Sequence, residues 1–173
     1  MASGEKILLC GFMGCGKSTL LEKMKINDLE KDWKYDDLDE LIYQNWASDF
    51  PDLGAWIETV GWERFRRVEG DILKEVLEDT QKRVIALGGG TVEHHERLLQ
   101  DWFSRMFWID VDFAVCWERI KKMTHRPLVK AGKNALEVLF EQRIEGYQKA
   151  KGHLNRIEAE QIDSVRYLVD RLE

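Results

Sequence analysis

Gly11-Phe-Met-Gly-Cys-Gly-Lys-Ser18 fits the pattern G-x-x-x-x-G-K-[ST] of a phosphate-binding loop. Before it, Lys6-Ile-Leu-Leu-Cys10 is a short apolar run that reads as a buried strand. After it, Ser18 to Lys25 reads as the start of a helix. Strand, glycine-rich turn and helix are the context this pattern requires. The glycines let backbone N–H groups turn toward phosphate oxygens with no Cβ in the way. The helix N-terminus adds free donors and the positive end of its dipole. In such a loop Lys17 reaches the β- and γ-phosphates and the Ser18 hydroxyl sits on Mg²⁺. A nucleotide is therefore the expected ligand.

Working outward, Trp33-Lys-Tyr-Asp-Asp37 reads as a second strand, with carboxylates at its C-terminal end. Leu38 to Ala47 has a helical pattern, Ser48 to Asp52 breaks it, and Leu53 to Thr59 resumes it. Phe65, Val68, Ile72, Leu73 and Val76 recur at helical spacing within Gly61 to Leu77. Arg83 to Leu87 is a third strand, ending in Gly88-Gly-Gly90. Glu93 to Gln100 is expected to be helical, Met106 to Ile109 a fourth strand, and Phe113 to Met123 another helix. A basic loop, about 121–134, contains Arg126-Pro-Leu128 and has the makings of a mobile lid. Ala135 to Ala150 and Ala159 to Leu172 are expected to be helices. Strands alternating with helices, and no linker or repeat, argue for one α/β domain over 1–173 around a parallel sheet. Its ligands belong at the C-terminal ends of the strands.

The 173 residues suit one domain, and 44% hydrophobic with 34% charged residues describes an ordinary globular chain. A net charge of −6 gives no basic footprint for nucleic acid or an anionic membrane. An anionic substrate must then be held by local Arg and Lys clusters. Neither a signal-peptide layout nor a spanning stretch is expected, and the odd count of cysteines (Cys10, Cys15, Cys116) without a C-x-x-C pair fits a reducing cytoplasm.

Asp37 and Asp39 stand at alternate positions where strand gives way to helix, so both face one side of an extended chain. One suits the Mg²⁺ shell and the other a substrate hydroxyl, with Asp36 left as a solvated neighbour. Asp110, after four apolar residues, imitates a metal-binding carboxylate, but any buried strand followed by a helix cap shows the same string, and it ranks below Asp37. Arg66 shares a helical face with Glu69 and Leu73, and Arg143 lies between Leu139 and Tyr147. For Arg66 the plain reading is an i,i+3 ion pair with Glu69. The sharper reading makes both arginines a clamp on a substrate carboxylate, a task that suits the guanidinium fork. His94 and His95, adjacent on a helix, read as surface residues. Trp56 and Trp62 are the tryptophans expected to line a substrate site.

Six pieces in this order, Gly11 to Thr19, Asp37-Leu-Asp39, Phe65-Arg-Arg-Val-Glu69, Gly88-Gly-Gly90, Arg126-Pro-Leu128 and Arg143-Ile-Glu-Gly-Tyr147, resemble the shikimate kinases over nearly the whole chain. The resemblance implies a three-layer P-loop kinase fold of about five parallel strands with helices on both faces. It implies ATP-dependent, Mg²⁺-assisted phosphorylation of the 3-hydroxyl of shikimate in aromatic amino-acid biosynthesis, by a monomer. By motif, Gly14, Cys15, Gly16, Lys17, Ser18 and Thr19 cradle the phosphates, and Ser18 and Asp37 serve Mg²⁺. Asp39 is the candidate base at the reacting hydroxyl. Arg66 and Arg143 hold the carboxylate, Gly89 offers its backbone to a ring hydroxyl, Arg126 belongs to the lid, and Arg119 lies against adenine. Lys17, Asp39 and Arg126 make the catalytic set. The chain departs from the family around Ser48 to Leu53, where it is a few residues longer. It departs again at Gly61-Trp62-Glu63, and after Tyr147 through Glu158, which poorly matches the family's last strand and adenine loop and leaves the adenine contacts unassigned. A kinase for another carboxylated polyol such as gluconate, or a nucleotide-binding paralogue without activity, are the alternative readings.

Overall fold

The computed structural model describes residues 4–29, 31–123 and 125–172. Five parallel strands form one sheet in the order β2-β3-β1-β4-β5: β1 Lys6–Cys10, β2 Trp33–Asp37, β3 Lys82–Ala86, β4 Met106–Asp110 and β5 Gly152–Asn155. Every residue of β1 is buried, as expected of a central parallel strand covered on both faces. Its Leu8 and Leu9 pair with Ile85 and Ala86 on one side and with Met106 and Phe107 on the other. The chain builds outward from β1 in both directions. The crevice at the C-terminal end of β1 is therefore the topological switch point where such sheets bind ligands.

Helices α1 Lys17–Asn27, α2 Leu38–Ile42, α3 Leu53–Val60 and α4 Trp62–Glu78 follow the first two strands. A π-helical turn, Tyr43–Ala47, extends α2. The apolar stripe of α4 buries Phe65, Val68, Ile72, Leu73, Val76 and Leu77, as its periodicity predicts. After β4 come α7 Phe113–Ile120, a 3₁₀ turn Pro127–Ala131 in the basic loop, and α8 Lys133–Tyr147. Thr124 of that loop lies outside the described residues. No helix among the described residues is long and apolar enough to cross a membrane.

Three expectations need correction. The helix over 93–100 is two short ones, α5 Thr91–His94 and α6 Glu96–Leu99, joined at His95 and followed by a 3₁₀ segment Gln100–Arg105. The C-terminal helix is likewise two, α9 Arg156–Gln161 and α10 Val165–Asp170, each begun by its own side-chain cap, Asn155 and Ser164. Ile162, Val165, Leu168 and Leu172 are still buried, so the apolar spacing marks a buried face rather than an unbroken helix. Finally, the stretch after Tyr147 does contain the last strand, β5, which lies parallel to β4 with Gly152 opposite Phe107. A Cβ on Gly152 would stand 2.1 Å from Phe107 Cδ1, so the ring covers the glycine backbone. Phe107 is fully buried and has nowhere to retreat. Gly152→Ala should therefore destabilise the fold by about 1–3 kcal/mol through overpacking. The check is the urea unfolding midpoint, which should fall with the slope unchanged; an unshifted midpoint would show that the ring does not bear on β5.

Candidate active site

Helix α1 begins at Lys17 with Gly16 as its cap in the left-handed conformation (φ 108°) and no side-chain cap. The first backbone bond of that helix is from Leu20 N–H to Gly16 O, 2.9 Å. The N–H groups of Lys17, Ser18 and Thr19 thus precede the intrahelical ladder, at the positive end of the helix. Lys17 Nζ donates to Gly11 O (2.7 Å) and Phe12 O (3.0 Å), which lays the ammonium across the loop. Cys15 turns its N–H back onto Phe12 O, and its thiol is buried 3.6 Å from that ammonium.

Strand β2 delivers Asp37 and Asp39 to the same crevice. Ser18 Oγ donates to Asp37 Oδ2 at 2.5 Å, while Asp37 Oδ1 caps α2 by accepting from Asp39 N–H at 3.0 Å. One Asp37 carboxylate thus caps α2 and holds the loop serine at the same time. Asp39 lies deeper. Burial pushes its carboxyl up to about 6, and the charges of Asp37 and Glu69 add to that, against the pull of Arg126 and Lys17. Asp36 is not a solvated neighbour: it pairs with Arg83 of β3 at the far side of the strand.

Two adjoining cavities, of about 790 Å³ and 670 Å³, share Met13, Ser18, Asp37, Asp39, Gly88, Gly89 and Arg126. The first holds Arg66, Glu69, Gly90, Trp62 and Arg143 in its wall. Arg66 stacks on Phe65 and Trp62 with its carbon 4.9 Å and 5.4 Å from the ring centroids, and Nη1 donates to Glu69 Oε2 at 2.6 Å. Arg143, on α8, is buried; Nε donates to Glu93 Oε2 at 3.0 Å and Nη1 is buried with no partner among the described residues. A Cβ on Gly90 would lie 2.6 Å from Arg66 Nη2 and 2.7 Å from Arg143 Nη2, so both guanidinium ions converge over that glycine. Two guanidinium forks that converge on one point, one with an orphaned donor, present directed N–H groups to an anion seated between them. Tyr147 donates its hydroxyl to Gly89 O and so ties the triple-glycine turn to α8.

Glu69 was legible only as the ion-pair partner of Arg66. It is fully buried, and its carboxylate takes hydrogen bonds from Arg66, from Thr91 Oγ1 (2.8 Å) and from His95 Nε2 (3.0 Å). Burial pulls its pKa up, and the His95 bond, the Arg66 charge and the Thr91 bond together bring it below the usual range. His95 is therefore not a surface residue, while His94 is half exposed. Trp62 lines the first cavity; Trp56 is buried in the core against Phe65 and does not.

The second cavity runs along the loop toward Arg119, Arg156, Ala159 and Glu160. Arg119 donates to Gly14 O (3.0 Å) and approaches Glu160, whose carboxylate also takes Arg156 Nε at 2.8 Å. Arg156 had no assigned place in the sequence, because the strand that carries it there was not legible. Asp110 lines neither cavity and pairs with His153. Arg126 borders both cavities, and its Nε is buried with no partner among the described residues. The basic loop rests on α3: Lys130 pairs with Glu58, and a Cβ on Gly54 would stand 1.9 Å from His125 O.

Comparison with known proteins agrees with this geometry. A family model described as shikimate kinase matches residues 13–173. A shikimate kinase of Staphylococcus haemolyticus is 35% identical over 145 residues, covering 83% of this chain and 80% of the relative. One from Lactococcus lactis subsp. cremoris is 32% identical over 144 residues, 82% of this chain and 81% of the relative. The crystal structure of shikimate kinase from Aquifex aeolicus superposes with a TM-score of 0.72 at 28% identity, over 95% of this chain and 96% of the other. A shikimate kinase from Acinetobacter baumannii, in complex with shikimate, shares the fold with a TM-score of 0.74 at 23% identity, over 97% and 94% of the two chains. With a phosphate loop, two convergent arginines and a raised carboxyl on one crevice, and the family model matched from the loop to the C-terminal residues, this chain belongs to the shikimate kinase family.

Proposed function

We propose that this protein transfers the γ-phosphoryl group of ATP to the 3-hydroxyl of shikimate. The observation that carries the reading is the convergence of Arg66 and Arg143 over Gly90, in the same cavity as Asp39. A carboxylate seated between the guanidinium ions anchors one end of a small ring, and its hydroxyls then face Asp39 and the backbone of Gly89. The nucleotide takes the second cavity, with its phosphates on Gly14, Cys15, Gly16, Lys17, Ser18 and Thr19 and its base beside Arg119, where Arg156 and Glu160 close the pocket.

Ser18 and Asp37 offer a hydroxyl and a carboxylate oxygen side by side, which suits Mg²⁺. No cluster of three or more His, Cys, Asp or Glu able to cage a metal exists among the described residues, so Ser18 and Asp37 are the residues that would hold Mg²⁺. When bound, the ion neutralises charge on the phosphates.

In the transfer, the acceptor hydroxyl oxygen forms a bond to phosphorus as the bond to the ADP oxygen breaks, and the hydroxyl proton passes to the Asp39 carboxylate. A base of pKa about 6 is ionised at neutral pH and still basic enough to take that proton. Lys17 and Arg126, whose charges both reach Asp39, stand where the transferring group gains negative charge. The basic loop about 121–134 acts as the lid, and 40–70 as the segment that covers the acceptor, within one catalytic domain. The buried, unpaired thiols of Cys10, Cys15 and Cys116 support a reducing, cytoplasmic setting.

Shikimate-dependent release of ADP from MgATP tests the reading directly, and no stimulation by shikimate would overturn it. Asp39→Asn should lower kcat by at least about 100-fold while MgATP still binds. Because the native pKa of Asp39 is raised, its ionised form is held at a cost to stability above the unfolded value, so the Asn variant should melt no lower than wild type. In wild type, kcat/KM for shikimate should fall as pH drops through about 6, with one proton taken up, since protonation removes the base. A flat profile between pH 5 and 7, marked roughly by that pKa, would take Asp39 out of the role.

Arg143→Ala removes half of the clamp and should raise KM for shikimate by about 10–100-fold, with KM for MgATP nearly unchanged. Equal effects on both constants would show that Arg143 supports the fold rather than the acceptor.

A further inference from the structure

Resting on the acceptor site proposed above, the structure points to a residue that holds its clamp from behind. We infer that His95 is a positioning residue for the acceptor carboxylate: its imidazole fixes Glu69, and Glu69 fixes Arg66.

Glu69 Oε2 receives Arg66 Nη1 at 2.6 Å and His95 Nε2 at 3.0 Å, so one oxygen is shared between clamp and histidine. Its other oxygen takes Thr91 Oγ1 at 2.8 Å. A carboxylate held this way, with its pKa lowered, is ionised and can only accept. Nε2 of His95 must therefore carry a hydrogen whatever the charge on the ring. His95 is placed to donate it by local structure. It is the junction of α5 and α6, and its own N–H is held by Thr91 O at 2.9 Å. Thr91 and His95 thus grip Glu69 from the same turn that carries the triple glycine. The acceptor side of the crevice is thereby tied by hydrogen bonds to the carboxylate behind Arg66.

The seat for the ring is on α4. A Cβ on Gly70 would lie 2.9 Å from His95 Cε1 and 3.2 Å from Nδ1, so the imidazole packs where that side chain would be. Glycine inside a helix is unfavourable by about 1 kcal/mol relative to alanine. Here it sits one residue after Glu69, where a larger residue would meet the imidazole and force it to shift. Position 70 and position 95 thereby report the same arrangement independently.

Without the third donor, Glu69 keeps Arg66 and Thr91 but loses the contact that sets its tilt. Arg66 then turns more freely over Phe65 and Trp62, and its Nη2 no longer stays paired with that of Arg143 over Gly90. The loss falls on seating the carboxylate, not on transfer, because His95 touches neither Asp39 nor the phosphate loop in the described contacts.

The test is steady-state kinetics of the full chain with MgATP and shikimate for His95→Leu, His95→Gln and Gly70→Ala. The Leu variant should raise KM for shikimate about tenfold, leaving kcat and KM for MgATP within about twofold. The Gln variant, whose Nε2 can replace the imidazole donor, should return KM to within about threefold of wild type. Gly70→Ala should raise KM for shikimate as the Leu variant does, although alanine favours the helix. Unchanged KM in both the Leu and Ala variants would overturn the proposal. So would a loss spread evenly over kcat and both KM values, which would mark a structural role. If wild type does not turn over shikimate, the acceptor reading fails by itself, and ¹⁵N spectra of the imidazole at alkaline pH decide the rest. A pyrrole-type Nε2, together with an Arg66 Nε–Hε resonance that shifts in His95→Leu, upholds the positioning role. A pyridine-type Nε2 or an unmoved arginine resonance overturns it.

Discussion

The crevice depends on one steric constraint at the end of β1. Where the chain leaves Cys10, a Cβ on Gly11 would stand 2.8 Å from Ile109 O and 2.8 Å from Cys15 Sγ, with φ at 141°. Only glycine lets the loop turn that tightly between β4 and its own next turn. The turn aims the start of α1 back across the strand ends, and with it the free N–H groups and Lys17. Because β1 is central, the same point is flanked by β3, which ends at the triple glycine, and by β4. Phosphate donors and acceptor turn are brought together by sheet order, and neither needs a long loop to reach the other.

The second constraint is electrostatic. Two guanidinium ions are held close and largely out of water, which is costly unless each is partnered. Arg66 has Glu69 and Arg143 has Glu93, so the clamp is close to neutral before any ligand arrives. What it retains is geometry: Nη2 of each points over Gly90, and Nη1 of Arg143 lacks a partner. An orphaned buried donor is destabilising by about 1–3 kcal/mol. It is the sort of local violation that persists where a ligand satisfies it.

Much of this was legible because it is written in local patterns. The loop declares itself by residue type and spacing and α4 by its apolar period, whereas Asp37 and Asp39 reach one crevice across a helix cap, Asp39 lying in α2, and not by alternation along an extended chain. The parts that were not legible depend on partners distant in sequence. Gly152-His-Leu-Asn155 has no strand signature of its own, since glycine weakens strands in general and is acceptable there only because Phe107 lies over it. With β5 unread, Arg156 and Glu160 had no route to the second cavity. His95 looked like half of an exposed pair, because nothing at positions 94 and 95 announces that Glu69 lies opposite. The helix break at 162–164 goes with the Ser164 cap, and the one at His95 has no side-chain cap; an apolar period encodes neither.

Gly88 shows how the site separates two acidic groups of the same chemical kind. A Cβ there would lie 3.0 Å from Asp39 Oδ1 and 3.2 Å from Glu69 Oε1, so its absence lets the two carboxyl groups approach across the turn. Like charges that close cannot both be ionised cheaply, and the protein resolves this with donors. Glu69 receives three and is driven down; Asp39 is left with burial and like charge and is driven up to about 6. The split matches the roles in the proposed reaction, since a carboxylate saturated with donors orients its neighbours, and one short of them takes a proton. Residue type alone makes Asp39 and Glu69 interchangeable. What distinguishes the two is the number of N–H and O–H groups aimed at each, and those that reach Glu69 come from α4 and from the turn after β3 only once the sheet has brought them together.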